Sequence, residues 1–443
     1  MKKYIFFVVG VMCTLLSHTA YAIDLNKSDA NIIGHVLEKK TGEHLPYMTV
    51  ALKGTTIGTM TDGTGHYFLK NLPEGEFILS VSAVGYKPQE RKVTLKRGKT
   101  LEENFELEED MVALDGVVVT ANRNETARRL APTLVKVVTP KLFDMTNSHT
   151  LSQGLVFQPG VRVENDCQNC GYSQVRINGM DGKYTQILID SRPIFSALAG
   201  VYGLEQIPAN MIERVEVVRG GGSALFGSSA IAGTVNIITK EPLRNSGSFA
   251  HSISNFDGSG SFDNNTTLNL SLVSSDNKMG AYIYGQNRHR SAWDSNGDSF
   301  SELPKLKNQT VGVNAYYRLS PYSKLNLEYH HMEEFRRGGN RFDLPPHIAE
   351  DANLNGSGEP GLVEQIEHSI NTGGLKFSAF SKDQKHAFNA YASAQHIVRD
   401  SYYSAYGHTT DFTGVLGAQY IYHFDKLFFM PSDLTGEIGR AHV

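Results

Sequence analysis

No apolar run beyond the first twenty or so residues is long enough to cross a bilayer as a helix, which excludes a helical membrane protein. Neither sign of charge is in excess. Lysine and arginine number 42 against 46 aspartates and glutamates, leaving a net charge of -4, and no long basic cluster occurs. Nucleic acid is therefore a poor candidate partner. Cysteine is limited to three residues. No nucleophile, base and orienting group fall together in a recognisable catalytic pattern, so the chain is not expected to be an enzyme. What is plentiful is glycine (42), phenylalanine (22) and tyrosine (20), which suits a strand-rich protein with many turns. A length of 443 residues with 40% hydrophobic content allows two or three domains.

The N-terminus has the layout of an export signal over residues 1–22. Lys2 and Lys3 precede an apolar core at residues 4–16, and Ala20-Tyr21-Ala22 supplies the small-x-small cleavage site. Cys13 lies inside that signal, and Val11 and Met12 stand where a lipoprotein would want a small residue. Only Cys167 and Cys170 should reach an oxidising compartment, where a disulfide is permitted.

Residues 23–110 alternate apolar and polar positions in short runs, at 35–37, 49–52, 67–69, 77–81 and 92–95. Turn signals separate them, among them Thr41-Gly42, Asp62-Gly63, Pro73-Glu74-Gly75 and Arg97-Gly98. This spacing predicts a small β-sandwich. The wording Ile33-Gly34, Thr61-Asp62-Gly63-Thr64-Gly65-His66-Tyr67 and Val84-Gly85-Tyr86 resembles the carboxypeptidase-regulatory-like domain that precedes many receptors of the Bacteroidetes type. That domain carries no catalytic residues of its own.

The strongest signal lies in residues 126–242. Ile207-Pro208-Ala209-Asn210-Met211-Ile212-Glu213-Arg214-Val215-Glu216-Val217-Val218-Arg219-Gly220 reads as a short helical turn entering a strand, and residues 232–240 make another strand. With Val175-Arg176-Ile177-Asn178-Gly179-Met180 and Gln186-Ile187-Leu188-Ile189-Asp190, this resembles the plug domain of TonB-dependent receptors. The glycines at 220–222 are no phosphate loop, because no Gly-Lys-Ser/Thr follows.

Residues 243–436 alternate over segments near the length of a tilted membrane strand. Leu268, Leu270 and Leu272 interleave with Asn269 and Ser271, and Val311, Val313, Ala315, Tyr317 and Leu319 with Gly312, Asn314, Tyr316 and Arg318. Leu325, Leu327 and Tyr329 alternate with Asn326, Glu328 and His330. A half-buried soluble sheet would have the same period. The connections favour a barrel: short ones at 275–279, 320–323 and 381–385 alternate with long ones at 291–307, 335–367 and 400–411. The expected fold is thus mainly β: an N-terminal sandwich, an α+β plug and the first part of an antiparallel transmembrane barrel. About eight strands and the start of a ninth are visible, whereas a barrel that holds a plug needs about 22, so the sequence is expected to be truncated. Residues 437–443 resemble a translated sequencing adapter and are set apart as a non-native tail.

The resemblance directs attention to particular residues. Within the linker at 111–125, which follows an acidic stretch from Glu102 to Asp110, Asp115-Gly116-Val117-Val118-Val119-Thr120-Ala121 resembles the TonB box. Its β-branched run favours an extended strand that adds to a partner's sheet edge, although the same valines could close the sandwich instead. Its sequence is closest to boxes of metal-chelate and cobalamin receptors. Arg176 and Arg219 fall where the family has plug arginines paired with barrel-wall glutamates, and a solvated role is the alternative. Cys167 and Cys170 are open to a small disulfide, a soft metal or exchange chemistry. Asn178, Met180, Asp181, Lys183, Phe195 and Tyr202 are candidates for a ligand-facing plug apex. His331-Met332-Glu333-Glu334 is no zinc motif, since on a strand His331 and Glu334 face opposite sides.

The resemblance implies an outer-membrane importer energised through the TonB C-terminal domain, surrounded by outer-membrane lipid and taking a small metal chelate, haem or cobalamin-like ligand, with no resident cofactor required. The alternative is a secreted carbohydrate-binding or peptidase-associated β protein without transport activity.

Overall fold

The computed structural model describes residues 28–83, 85–109, 117–118, 120, 126–127, 135–167, 171–192, 205, 207–221, 226, 230–351, 360–383, 385–427 and 430–442. The export signal expected at 1–22 lies outside the described residues.

Eight short strands build the first domain: β1 (Ala30–Glu38), β2 (Thr49–Leu52), β3 (Gly58–Met60), β4 (His66–Leu72), β5 (Gly75–Ser82), β6 (Gln89–Leu95), β7 (Thr100–Glu102) and β8 (Phe105–Leu107). One sheet has β1 between antiparallel β4 and parallel β7 and β8; the other runs β3-β2-β5-β6. The period-two pattern decides what is inside. Ile32 and Val36 of β1, Leu69 of β4, Leu79 of β5 and Phe105 of β8 meet in one core. Gly34 is required by a close approach, because a Cβ there would lie 1.8 Å from the Glu103 carbonyl oxygen.

The box segment and plug follow: β9 (Val117–Val118), β10 (Thr126–Ala127), β11 (Val135–Val138), α1 (Pro140–Met145), α2 (Leu151–Leu155), β12 (Val161–Cys167), β13 (Tyr172–Ile177), β14 (Thr185–Ile189), β15 (Ile212–Arg219) and β16 (Gly233–Thr239). The plug sheet has the order β11-β15-β16-β14, with β14 and β16 parallel, and β12 and β13 form a separate hairpin. Residues 215–218 of β15 and nearly all of β16 are buried, as strands covered on both faces must be. Val215, Val217, Val235 and Ile237 share a core with Tyr282 and Tyr284 of the barrel wall.

The third region is one nine-stranded antiparallel meander in chain order. Its strands are β17 (Ser246–Asn255), β18 (Phe262–Val273), β19 (Met279–Arg290), β20 (Lys305–Ser320), β21 (Ser323–Gly339), β22 (Val363–Phe380), β23 (His386–Tyr403), β24 (Tyr406–Leu427) and β25 (Met430–His442). Burial along them is inverted relative to a soluble sheet. Leu268, Val311, Leu327, Leu375 and Leu416 are exposed, whereas Asn265, Gln286, Thr310, Glu334 and Gln395 are buried. An apolar exterior over a polar interior is what lipid outside and a plug inside demand.

Two expectations need correction. The long loop placed at 400–411 is mostly strand: β23 and β24 stay paired out to Tyr402 opposite Tyr406. The polar residues there, Asp400 and Thr409 among them, read as loop in the sequence, but strands can run on as a ribbon beyond the lipid band, where alternation no longer matters. Residues 437–442, set apart as a tail, lie in β25 opposite residues 414–419 of β24. Among the described residues the ladder stays open, with β17 and β25 at its two ends.

The sandwich sits at the short-turn end of the ladder. The Thr56 amide donates to the Pro321 carbonyl at 2.8 Å, Arg318 Nε donates to the Thr56 carbonyl at 2.7 Å, and Tyr322 packs on the sandwich core.

Candidate functional site

Two sets of contacts converge on the plug, one from the candidate box segment at 115–121 and one from the barrel strands. Of the segment expected to be the box, Val117 and Val118 pair antiparallel with Ala127 and Thr126, so they are extended and pair outside the sandwich sheets. Asp115, Gly116, Val119 and Ala121 lie outside the described residues. Thr120, 1% exposed, is seated on the plug sheet. Its amide and its hydroxyl both donate to Glu216 Oε2, at 2.8 and 2.6 Å. Asn236 Nδ2 donates to the Thr120 hydroxyl at 3.0 Å and to Ser191 Oγ at 3.0 Å. The other Glu216 oxygen accepts from Arg214 Nε at 2.8 Å.

The sheet register makes this seat. Glu216 of β15 and Asn236 of β16 are directly opposed, so two buried polar side chains arrive at one point. Both are fully buried, and a buried carboxylate is tolerable only when it is hydrogen-bonded as this one is. The seat therefore needs a donor such as Thr120.

The plug meets the wall through buried ions. Arg192, just after β14, reaches Glu328 of β21 at 2.5 Å, with Asp190 at 3.6 Å. Burial works against the Arg192 guanidinium, but the Glu328 and Asp190 carboxylates outweigh it and raise its pKa, so it stays charged. Arg336, also on β21, contacts Glu205 of the plug at 2.8 Å and its own-strand Glu334 at 2.8 Å, and donates to the Gly171 carbonyl at 3.0 Å. A neutral anchor joins them. Asn210, in the turn entering β15, donates to Asn269 Oδ1 at 2.9 Å and accepts from the Tyr282 hydroxyl at 2.8 Å through its carbonyl.

The residues singled out from sequence fall in different places. Arg176 on β13 is paired inside the plug, with Glu164 and with Asp181 at 3.4 Å. Arg219 ends β15 beside Gly160, where a Cβ would lie 2.4 Å from its Nη1. Asn178 and Gly179 form the turn after β13, both at positive φ (54° and 77°). Met180 packs against the plug core, and Lys183 lies 3.6 Å from Asp181 and over the Tyr184 ring. Phe195, Tyr202 and Cys170 lie outside the described residues; Cys167 ends β12. His331 bonds Asn371 at 3.0 Å while Glu334 turns to Arg336, so the two face opposite sides as the strand period requires.

Sequence reasoning missed Arg192, Glu205 and Arg336, and the ion-pair roles of Glu328 and Glu334. A signal existed for those on β21: Glu328, Glu334 and Arg336 recur at even spacing on the polar face of an alternating strand, and a charge on the inner face must find a partner.

Residues 32–119 match the family model described as CarboxypepD_reg-like domain, and residues 127–234 match the TonB-dependent Receptor Plug Domain. The vitamin B12 transporter BtuB of Vibrio vulnificus (strain YJ016) is 32% identical over 229 residues, 45% of this chain and 37% of that protein. BtuB of Photobacterium profundum is 37% identical over 128 residues, 28% of this chain and 20% of that protein. The siderophore receptor PirA from Acinetobacter baumannii superposes with a TM-score of 0.59 at 18% identity, covering 71% of this chain and 48% of the other. A mutant of the ferric enterobactin receptor PfeA from Pseudomonas aeruginosa gives 0.56 at 18% identity over 71% and 49%. The chain thus spans less than half the length of these relatives. Residues 32–119 and 127–234 thus match the CarboxypepD_reg-like domain and the plug domain of TonB-dependent receptors, and plug and ladder share the fold of the siderophore receptors.

Proposed function

We propose that this chain is part of an outer-membrane receptor that captures a scarce metal chelate or cobalamin-like ligand and imports it with energy transmitted from the inner membrane through TonB. The observation that carries this reading is the seat of Thr120 on Glu216 and Asn236. A pull on residues 115–121 acts first at that seat and passes directly into β15 and β16, the two central strands of the plug sheet. The Arg192–Glu328 and Arg336–Glu205 pairs hold the same plug against the wall. Force applied at one end is thus opposed at the other, which is the condition for rearranging a plug without expelling it. Ligand capture belongs to the long connections at 291–304 and 340–362 and to the plug turn at 178–183. The ligand's metal is cargo. The names of the relatives, vitamin B12 transporter and siderophore receptor, agree with this ligand class.

Deleting residues 115–121 from the full-length receptor should abolish energised uptake of labelled cobalamin or iron chelate while leaving surface binding nearly intact. Uptake at an unaltered rate would overturn the assignment of the box. Recovery of the full-length protein in a soluble secreted fraction would instead favour a carbohydrate-binding or peptidase-associated role.

A further inference from the structure

Three histidines of the sandwich lie together outside everything described above. His35 of β1 and His66 of β4 are a directly opposed cross-strand pair. His44, in the connection from β1 to β2, is brought over them because Leu37 and His44 are bridged and the chain passes close above Gly65, where a Cβ would meet the His44 Cβ at 2.8 Å. The ring centroids are 5.2 Å (His35–His44), 5.8 Å (His35–His66) and 4.9 Å (His44–His66) apart.

We propose that His35, His44 and His66 bind one divalent ion of the zinc class, taken by imidazole nitrogens, with a fourth position left for water. Three imidazoles holding a tetrahedral ion at about 2.1 Å have their ring centroids about 5 Å apart, the spacing found here. The rings are tilted against one another by 43°, 71° and 32° instead of each aiming a nitrogen at one centre, and His44 and His66 are exposed enough to turn.

A second observation comes from the groups behind His66. The Thr64 hydroxyl donates its one proton to Asp62 Oδ1 at 2.7 Å and lies 3.1 Å from His66 Nδ1. The Asp62 carboxylate also accepts the Thr64 and His66 amides, at 2.8 and 3.0 Å. Three donors converge on this one carboxylate oxygen, so Asp62 is the acceptor of the Thr64 hydroxyl proton. The hydroxyl proton is therefore committed, and Nδ1 of His66 must be the N–H that donates to the Thr64 oxygen. That fixes the tautomer with the free lone pair on Nε2. A carboxylate acting through a relay to orient a histidine is how metal-ligating imidazoles are commonly supported. Imidazole donors select zinc, nickel and copper over calcium or magnesium. This distinguishes the cluster from Asp294, Asp298 and Glu302, which offer oxygen only, in the exposed connection between β19 and β20.

The test uses the detergent-purified full-length receptor in a Cys167→Ala/Cys170→Ala background, titrated with zinc against a chromophoric chelator in excess calcium. The expected result is one equivalent of tight zinc that disappears in His35→Ala/His44→Ala/His66→Ala. The His44→Gln variant alters an exposed side chain and leaves the fold intact by circular dichroism; it should weaken that equivalent at least tenfold. Thr64→Val should weaken it by roughly tenfold to a hundredfold through loss of the relay. The same stoichiometry and affinity with and without the three histidines would overturn the proposal, as would binding at millimolar zinc only. The assay measures bound metal and not transport, so its failure would leave the proposed function untouched.

Discussion

Replacing Thr120 by valine keeps the shape of the side chain and the backbone donor and removes only the hydroxyl. In the folded chain that hydroxyl donates to the buried Glu216 carboxylate at 2.6 Å and accepts from Asn236 at 3.0 Å. A hydrogen bond to a charged group contributes about 1.5–3 kcal/mol. Each 1.4 kcal/mol is about a factor of ten, so release of the segment from its seat should become roughly tenfold to 150-fold easier. The Thr120 amide, which donates to the same carboxylate oxygen at 2.8 Å, reports that opening directly. Hydrogen–deuterium exchange of the peptide spanning residues 117–127 should accelerate by that factor in Thr120→Val. Peptides from the sandwich core should not change, and Thr120→Ser, which keeps the hydroxyl, should stay close to the unsubstituted protein. Exchange in Thr120→Val indistinguishable from the parent would refute the claim that this hydroxyl holds the box to the plug.

Val118→Pro should impair energised uptake nearly as much as deleting the box, because proline removes a backbone donor and fixes φ, whereas Val118→Ala should be milder; equal and severe loss from both would indicate side-chain recognition in place of strand addition. Arg192→Met leaves Glu328 buried and unpaired and should destabilise the seated plug by roughly 3–5 kcal/mol, with most of the loss recovered in Arg192→Met/Glu328→Leu. The urea concentration at which the plug becomes protease-sensitive measures this, and no recovery in the double variant would mean the pair is not coupled. If Cys167 and Cys170 are joined, the short loop contributes about 1–3 kcal/mol, and the double alanine variant should still insert and transport. Mass spectrometry after alkylation without reductant decides, two alkylated thiols ruling the bond out.

The domain order was legible in the sequence because each of its signals is local. Turn residues every few positions mark the sandwich, a fixed phrase from Ile207 to Gly220 marks the plug, and period-two alternation marks the ladder. Alternation also told which side chains share a face, as at Leu325, Leu327 and Tyr329, but not which face meets lipid. Only the plug packed against Tyr282 and Tyr284 made the polar side the inner one. Where polar residues run beyond the lipid band, as at residues 400–411, the local signal misled, because strand pairing there is enforced by the neighbouring strand and not by alternation. The site itself belongs to the tertiary structure. Thr120 and Glu216 are 96 residues apart, Arg192 and Glu328 are 136 apart, and Arg336 finds the Gly171 carbonyl across 165. Local pattern can state that a buried charge needs a partner. Which partner it receives is fixed by strand register and by how the plug sits in the wall, and neither is encoded within a window of neighbouring residues.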